Sequence, residues 1–155
     1  LAEYAIYRQT GREISSAETI ALLRRCAELG LVHQTANTDK PDVICNCCEC
    51  CCVLLSSVLR YGMNQVISKS RFRPSIDYEL CTDCLVCVDR CRFGAVEEVG
   101  GKVVAYQEKC FGCGQCVTVC PSEAIAMLEV RDPDHIPAGQ PGFSLSRAPV
   151  TTKPT

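Results

Sequence analysis

Two runs of cysteine at one spacing carry the chemistry this sequence can do. Cys81, Cys84, Cys87 and Cys91 stand at C-x-x-C-x-x-C-x-x-x-C, and Cys110, Cys113, Cys116 and Cys120 repeat that spacing 29 positions later, the second run closing on Pro121. Such spacing holds iron-sulfur cubanes. A C-x-x-C-x-x-C loop curls around one cubane so that three thiolates reach three iron corners, while its backbone N–H groups point at the cluster sulfides and partly offset their charge. Gly112 and Gly114 let the backbone approach closely. A cubane changes charge by one electron with little ligand movement, and no residue near the runs pairs a nucleophile with its base, so the expected chemistry is electron transfer. Structural zinc sites or four disulfides are the competing readings of the same eight thiols, and they fit the spacing less well.

A second concentration of thiols lies upstream, where Cys45, Cys47, Cys48, Cys50, Cys51 and Cys52 fill six of eight positions. Six thiols this close do not all bind one ion without strain. If a helix begins at Cys48, then Cys48, Cys51 and Cys52 share a face, and Cys45 and Cys47 reach back from the loop. A third metal site is therefore expected, with Cys45, Cys47, Cys48, Cys51 and Cys52 as candidate ligands. An iron-sulfur cluster there is preferred over structural zinc or inert thiols, and the remaining cysteines pack as small apolar residues. Glu49 reads as an exposed acid at a helix start, with iron ligation or proton transfer as the alternative. His33, 12 residues before Cys45, reads as a surface or hydrogen-bonded residue rather than a ligand. Cys26 reads as packing, and His135 as solvated.

The elements that must position these thiols are legible in part. Ser15 and Glu18 fit a capping box for a helix over 15–30, with Ile20, Leu23 and Ala27 at helical spacing and Gly30 placed to stop it. One face of that helix is expected to be buried. Tyr4, Ile6 and Tyr7 hint at a short element before Gly11, and residues 31–44 run through polar turn formers to Val43 and Ile44. Leu54, Leu55, Val58, Leu59 and Tyr61 predict a second helix that Gly62 ends, and 64–74 reads as a linker. From 77 to 128 the chain is two copies of one unit. At the offset of 29, Glu79 matches Glu108, Val88 matches Val117, Ala95 matches Ala124, Val96 matches Ile125 and Val99 matches Leu128. Each copy reads as strand, cysteine loop, short helix, strand, with Gly100 and Gly101 as the turn before Val103 and Val104. Beyond Val130, Pro133, Pro137, Pro141, Pro149 and Pro154 predict an extended tail.

At the paired runs the sequence resembles a bacterial-type ferredoxin carrying two [4Fe-4S] clusters, over residues 75–130. The resemblance implies an α+β fold with a pseudo-twofold repeat, and an exchange of fourth ligands between the runs. It assigns Cys81, Cys84, Cys87 and Cys120 to one cluster, and Cys110, Cys113, Cys116 and Cys91 to the other. Arg92 departs from the pattern, standing where the second run has Pro121. Loss of the proline loosens the chain after the ligand, and a cation beside a cluster raises its potential by stabilising the reduced form. A second resemblance covers about residues 11–130. Gly30, Leu31, Val32 and His33, then Asn37, Lys40, Pro41 and 44–52, followed by a helix and the paired runs, are similar to a family of multi-cluster 4Fe-4S proteins of anaerobes. That resemblance implies further cysteines upstream of position 1, including a C-x-C-R segment able to share the third site.

The expected domains are thus 1–74, a small helical cysteine-rich segment; 75–130, the two-cluster unit; and 131–155, the extended tail. Across all 155 residues, 47% apolar content and a net charge of -2 describe an ordinary soluble protein with no nucleic-acid signature. No apolar stretch approaches the roughly 20 residues that span a bilayer. Leu1 in place of Met, with no signal-peptide pattern after it, suggests a fragment or processed product of a larger chain or complex. Cysteines spaced for metal imply a reducing compartment, most simply the cytoplasm. Residues 77–130 hold nine acidic against four basic side chains, and residues 1–76 seven against nine. A redox protein or enzyme complex docking on the acidic half is expected to present a basic surface. The function read from these features is an electron carrier or electron-transfer subunit, not a stand-alone catalyst. A reductase or redox sensor built on the 45–52 stretch is the alternative.

Overall fold

The computed structural model describes residues 2–138. Helix α1, Ala2–Tyr7, precedes α2, Ser16–Glu28, which begins as its capping box requires. The Ser15 hydroxyl accepts the Glu18 N–H, and the Glu18 carboxylate accepts the Ser15 N–H at 2.9 Å. The expected buried face of α2 is reduced to its last turn: Cys26 is buried, whereas Ile20, Leu22 and Leu29 are exposed. The C-terminal end of the helix packs near β1, and Arg90 Nη1 donates to Ala27 O at 3.4 Å and to Glu28 O at 3.2 Å there.

Residues expected to be turns pair instead as strands. β1, Val32–Thr35, and β2, Ile44–Cys47, form an antiparallel ladder in which Val32 faces Cys47, His33 faces Asn46 and Gln34 faces Cys45. Helix α3, Val53–Tyr61, ends on Gly62 at φ 67°, where a left-handed residue caps the last turn. Leu55 and Val58 carry its buried face. The stretch 64–74 is not a free linker. It holds a 3-10 turn, Asn64–Val66, and the first residues of β3, Phe72–Ile76.

The segment with the paired cysteine runs follows. After β3 come α4, Val86–Arg90, and β4, Val96–Val99; then β5, Lys102–Ala105, α5, Gln115–Thr118, and β6, Ile125–Glu129. The first strand of one copy pairs with the last of the other: β3 lies antiparallel to β6, and β4 to β5. Gly100 and Gly101, at φ 60° and 81°, close the β4–β5 hairpin. The backbone repeats at the same offset as the sequence. Left-handed residues fall at Asp83 and Gly112, at Leu85 and Gly114, and at Gly94 and Glu123. The Asp77 N–H donates to Ala124 O at 2.8 Å, and its counterpart Tyr106 donates to Ala95 O at 2.7 Å. The core between the copies is small: Cys87, Val96, Val103, Cys116 and Ile125.

The described start of the tail folds back on its own protein. Val130 N–H donates to Arg71 O at 2.8 Å, and His135, in a 3-10 turn over Pro133–His135, meets Lys69 O through Nε2 at 2.8 Å. The rest of the expected tail lies outside the described residues. Among the described residues no helix is long and apolar enough to cross a membrane.

Candidate iron-sulfur sites

Each cysteine loop is held by turns that aim thiols inward. In the first, Asp83 adopts φ 49° and its carboxylate accepts Val103 N–H at 3.0 Å and Lys102 Nζ at 2.7 Å, fixing the loop to β5. Those hydrogen bonds hold the Asp83 carboxyl below its ordinary range, Lys102 contributing most. Cys81, Cys84, Cys87 and Cys120 line one cavity with Ile76, Val103 and Ile125. The structure thus brings the last thiol of the second run to the first three of the other. Burial raises the Cys87 thiol above its ordinary range, and its neighbours Cys120, Cys81 and Cys84 add to the rise.

The second loop mirrors it. Burial pushes the Cys116 thiol up to about 12, with Cys113, Cys110 and Cys91 contributing, and Cys91 also raises Cys110 and Cys113 behind the larger effect of their burial. Cys91 is thus close enough to the second run to act on all three of its thiols. Backbone N–H groups point at sulfur here too: Ala95 N–H donates to Cys91 Sγ at 3.2 Å and Gly112 N–H to Cys110 Sγ at 3.3 Å. Burial alone raises Cys120, but hydrogen bonds from Ser122 and from the N–H groups of Ala124 and Ile125 outweigh it and lower this thiol. Thiols grouped in fours, buried at Cys87 and Cys116 and met by N–H donors, fit a cubane, whose sulfur and thiolate charge needs such donors.

Gly112 shows how tightly the second loop is built. It sits at φ 73°, and a Cβ there would overlap the Phe72 carbonyl oxygen and lie 2.7 Å from Ser70 Cβ. The left-handed backbone alone costs a non-glycine residue roughly 1–2 kcal/mol. Gly112→Ala is therefore expected to displace β3 from the loop and speed loss of the second cluster in air about tenfold or more. The decay of visible absorbance when the anaerobically loaded protein is opened to air checks this, and an unchanged lifetime would show that the loop yields without harm.

The 45–52 stretch differs from its expected form. No helix begins at Cys48. Residues 48–51 close a turn, with Cys52 N–H donating to Cys48 O at 3.3 Å, and Cys52 is the N-cap of α3. Cysteine is among the weaker helix formers, and the turn lets thiols gather instead of spacing them along a helix. Two groups result. Cys45 and Cys47 lie two apart on β2 with Cys52 near them, and Cys47 is raised to about 11, first by burial and then by Cys52. Cys48, Cys50 and Cys51 form the other group, with all three sulfurs within 4.8 Å of one another and Cys48 and Cys50 in disulfide contact. Cys50, absent from the expected ligand set, joins its neighbours through a turn that spacing did not reveal.

Glu49 is not a helix-start acid. Its carboxylate accepts both hydrogen bonds from Arg92 Nη1, at 2.6 and 2.7 Å, while Arg92 Nε donates to Gly30 O at 3.2 Å. Arg92 thus ties the cysteine-dense turn to the residue after Cys91. His33 Nδ1 meets Asn46 Oδ1 at 2.7 Å across the β1–β2 ladder, in agreement with its bland reading. Gln115 went unnoticed in the sequence: it is buried, and its Nε2 donates to Leu31 O at 2.8 Å. The available signal was its contrast with Val86, its partner in the repeat.

Mixed helices and two-stranded sheets around two groups of four thiols define a small ferredoxin-like α+β protein. A family signature described as a 4Fe-4S binding domain matches residues 74–97 and again 103–126. The chain is 41% identical over 58 residues to a ferredoxin of Methanothermococcus thermolithotrophicus, covering 36% of this chain and 97% of that one. It is 39% identical over 56 residues to the pyruvate synthase subunit PorD of Thermotoga maritima, covering 36% and 57%. It is 32% identical over 101 residues to the polyferredoxin-like subunit of an aliphatic sulfonate oxidoreductase of Pyrococcus furiosus, covering 62% and 53%. The chain belongs to the ferredoxin family and carries two [4Fe-4S] clusters. It spans from 10% to 57% of the length of several of its relatives.

Proposed function

We propose that this chain is an electron-transfer subunit in which residues 75–130 form a two-cluster unit with a pseudo-twofold repeat, preceded by a cysteine-rich segment over 1–74 that holds a third metal site. The clusters supply one-electron chemistry at nearly fixed geometry. The chain's residues hold the thiolates, exclude water around them and direct N–H donors at sulfur. Cys81, Cys84, Cys87 and Cys120 bind one cluster, and Cys110, Cys113, Cys116 and Cys91 the other. The observation that carries this reading is the cavity that Cys120 shares with Cys81, Cys84 and Cys87. The third site draws on Cys45, Cys47, Cys48, Cys51 and Cys52, with Cys50 added because its sulfur lies with those of Cys48 and Cys51.

The partner is a redox protein or enzyme complex. PorD is a subunit of pyruvate synthase and the Pyrococcus furiosus relative a subunit of an oxidoreductase, which supports a place within such an assembly. Free thiols in this number suit a reducing compartment such as the cytoplasm. A reductase or redox sensor based on the 45–52 stretch is the second reading, favoured by the exposure of Cys45 and Cys51. Anaerobic iron and sulfide analysis with EPR of the reduced protein tests the proposal. About eight iron per chain from the paired sites, with additional iron lost on replacing Cys48 and Cys51 by serine, is expected. Far fewer than eight in a fresh anaerobic sample would overturn it.

A further inference from the structure

The two halves of the repeat act as controls for one another, because equivalent positions share a fold and differ in what covers them. Gln115 in the second copy is 3% exposed and holds Leu31 O, while its counterpart Val86 is 42% exposed. Cys113 is half-buried where its counterpart Cys84 is exposed. The end of α2 and the start of β1 lie over α5 of the second copy and over the residues either side of Cys91, the thiol placed with the second run. Gln115 donates to Leu31 O, Arg90 Nη1 to Glu28 O at 3.2 Å and Arg92 to Gly30 O. Around the first loop, Tyr78 is 60% and Leu80 54% exposed, and Val86 shares a face of α4 with the exposed Asp89. Exposed Asp77 and Glu79 flank Tyr78, and Lys102 is already engaged by Asp83.

We infer that the relay has a direction built into the fold: the second cluster faces the chain's own cysteine-rich segment, and the first faces outward. The surface around Cys84, Tyr78, Leu80 and Val86 is the docking face for a redox partner whose contact surface is apolar at its centre and ringed by lysine or arginine. Apolar side chains within an acidic rim are complementary to such a surface, and opposite rims speed encounter and fix orientation. The inference rests on the electron-relay reading proposed above.

Glu79 and Glu108 occupy the same place in the two copies, so Glu79→Lys and Glu108→Lys make the same charge change on the two faces. The full chain, loaded anaerobically and reduced with dithionite, is mixed with ferric cytochrome c, a one-electron acceptor with a basic docking face. One electron passes to the haem iron, the protein is oxidised by one, and no bond breaks. At low salt Glu79→Lys is expected to slow haem reduction about tenfold and Glu108→Lys less than about twofold, the difference vanishing at high salt. Leu80→Ser is expected to slow it at both salt concentrations. Iron content of each variant shows that both clusters are present. Equal slowing by the two lysine variants, or more by Glu108→Lys, overturns the directional inference and leaves the relay standing. A fully loaded, reduced protein that does not reduce the haem overturns both.

Discussion

Cys120→Ala is expected to abolish the first cluster, although Cys120 belongs to the second run, and to lower the iron of the paired sites from about eight to about four per chain. Cys120 lines the cavity of Cys81, Cys84 and Cys87, and its sulfur receives the N–H groups that would steady a thiolate there. Alanine leaves three ligands for four iron corners and a hollow beside Ile125 and Pro121. The second site keeps Cys110, Cys113, Cys116 and Cys91, and so should keep its EPR signal. Cys91→Ala is expected to do the reverse. Loss of the second signal in Cys120→Ala, with the first retained, would mean that each run closes on its own cluster.

Removal of both clusters by acid and chelator under argon is expected to unfold residues 75–130. Each sheet there has two strands, and a two-stranded sheet is marginal alone. The shared core contains two cysteines, Cys87 and Cys116, among its five buried residues, so without metal nearly half of it is thiols facing emptied sites. Fifty to sixty residues with so little apolar burial depend on their metal, and metal binding of this kind contributes on the order of 10 kcal/mol to folding. Amide dispersion in NMR and far-UV circular dichroism read the result. Dispersed amides for Val96, Val103 and Ile125 in the iron-free chain would show that the apolar core suffices.

How far residues alone reveal a site depends on whether its geometry is local. The repeated spacing determined the cubane loops, because three ligands within seven residues leave the backbone few ways to present them. The left-handed residues at Asp83 and Gly112 recur at the same 29-residue offset as the cysteines. The capping box of α2 and the glycine stop of α3 were also legible, since a cap is made by residues within one turn of each other.

What depended on distant segments was not. β1 read as turn and most of β2 as a cysteine loop because four-residue strands carry too little alternation, and their pairing across His33 and Asn46 exists only in the fold. The helix expected from Cys48 gave way to a turn that gathers Cys48, Cys50 and Cys51, which intrinsic propensity could only weakly disfavour. Arg92 was visible as a departure from the repeat, but its partner Glu49 lies 43 residues away. Residue types and spacing determined that this protein holds two [4Fe-4S] clusters, because ligand geometry is encoded within each loop. Only the tertiary structure decided which cysteine loop is covered and which is open, because Gly30 and Leu31 meet Arg92 and Gln115 in contacts between segments remote in sequence.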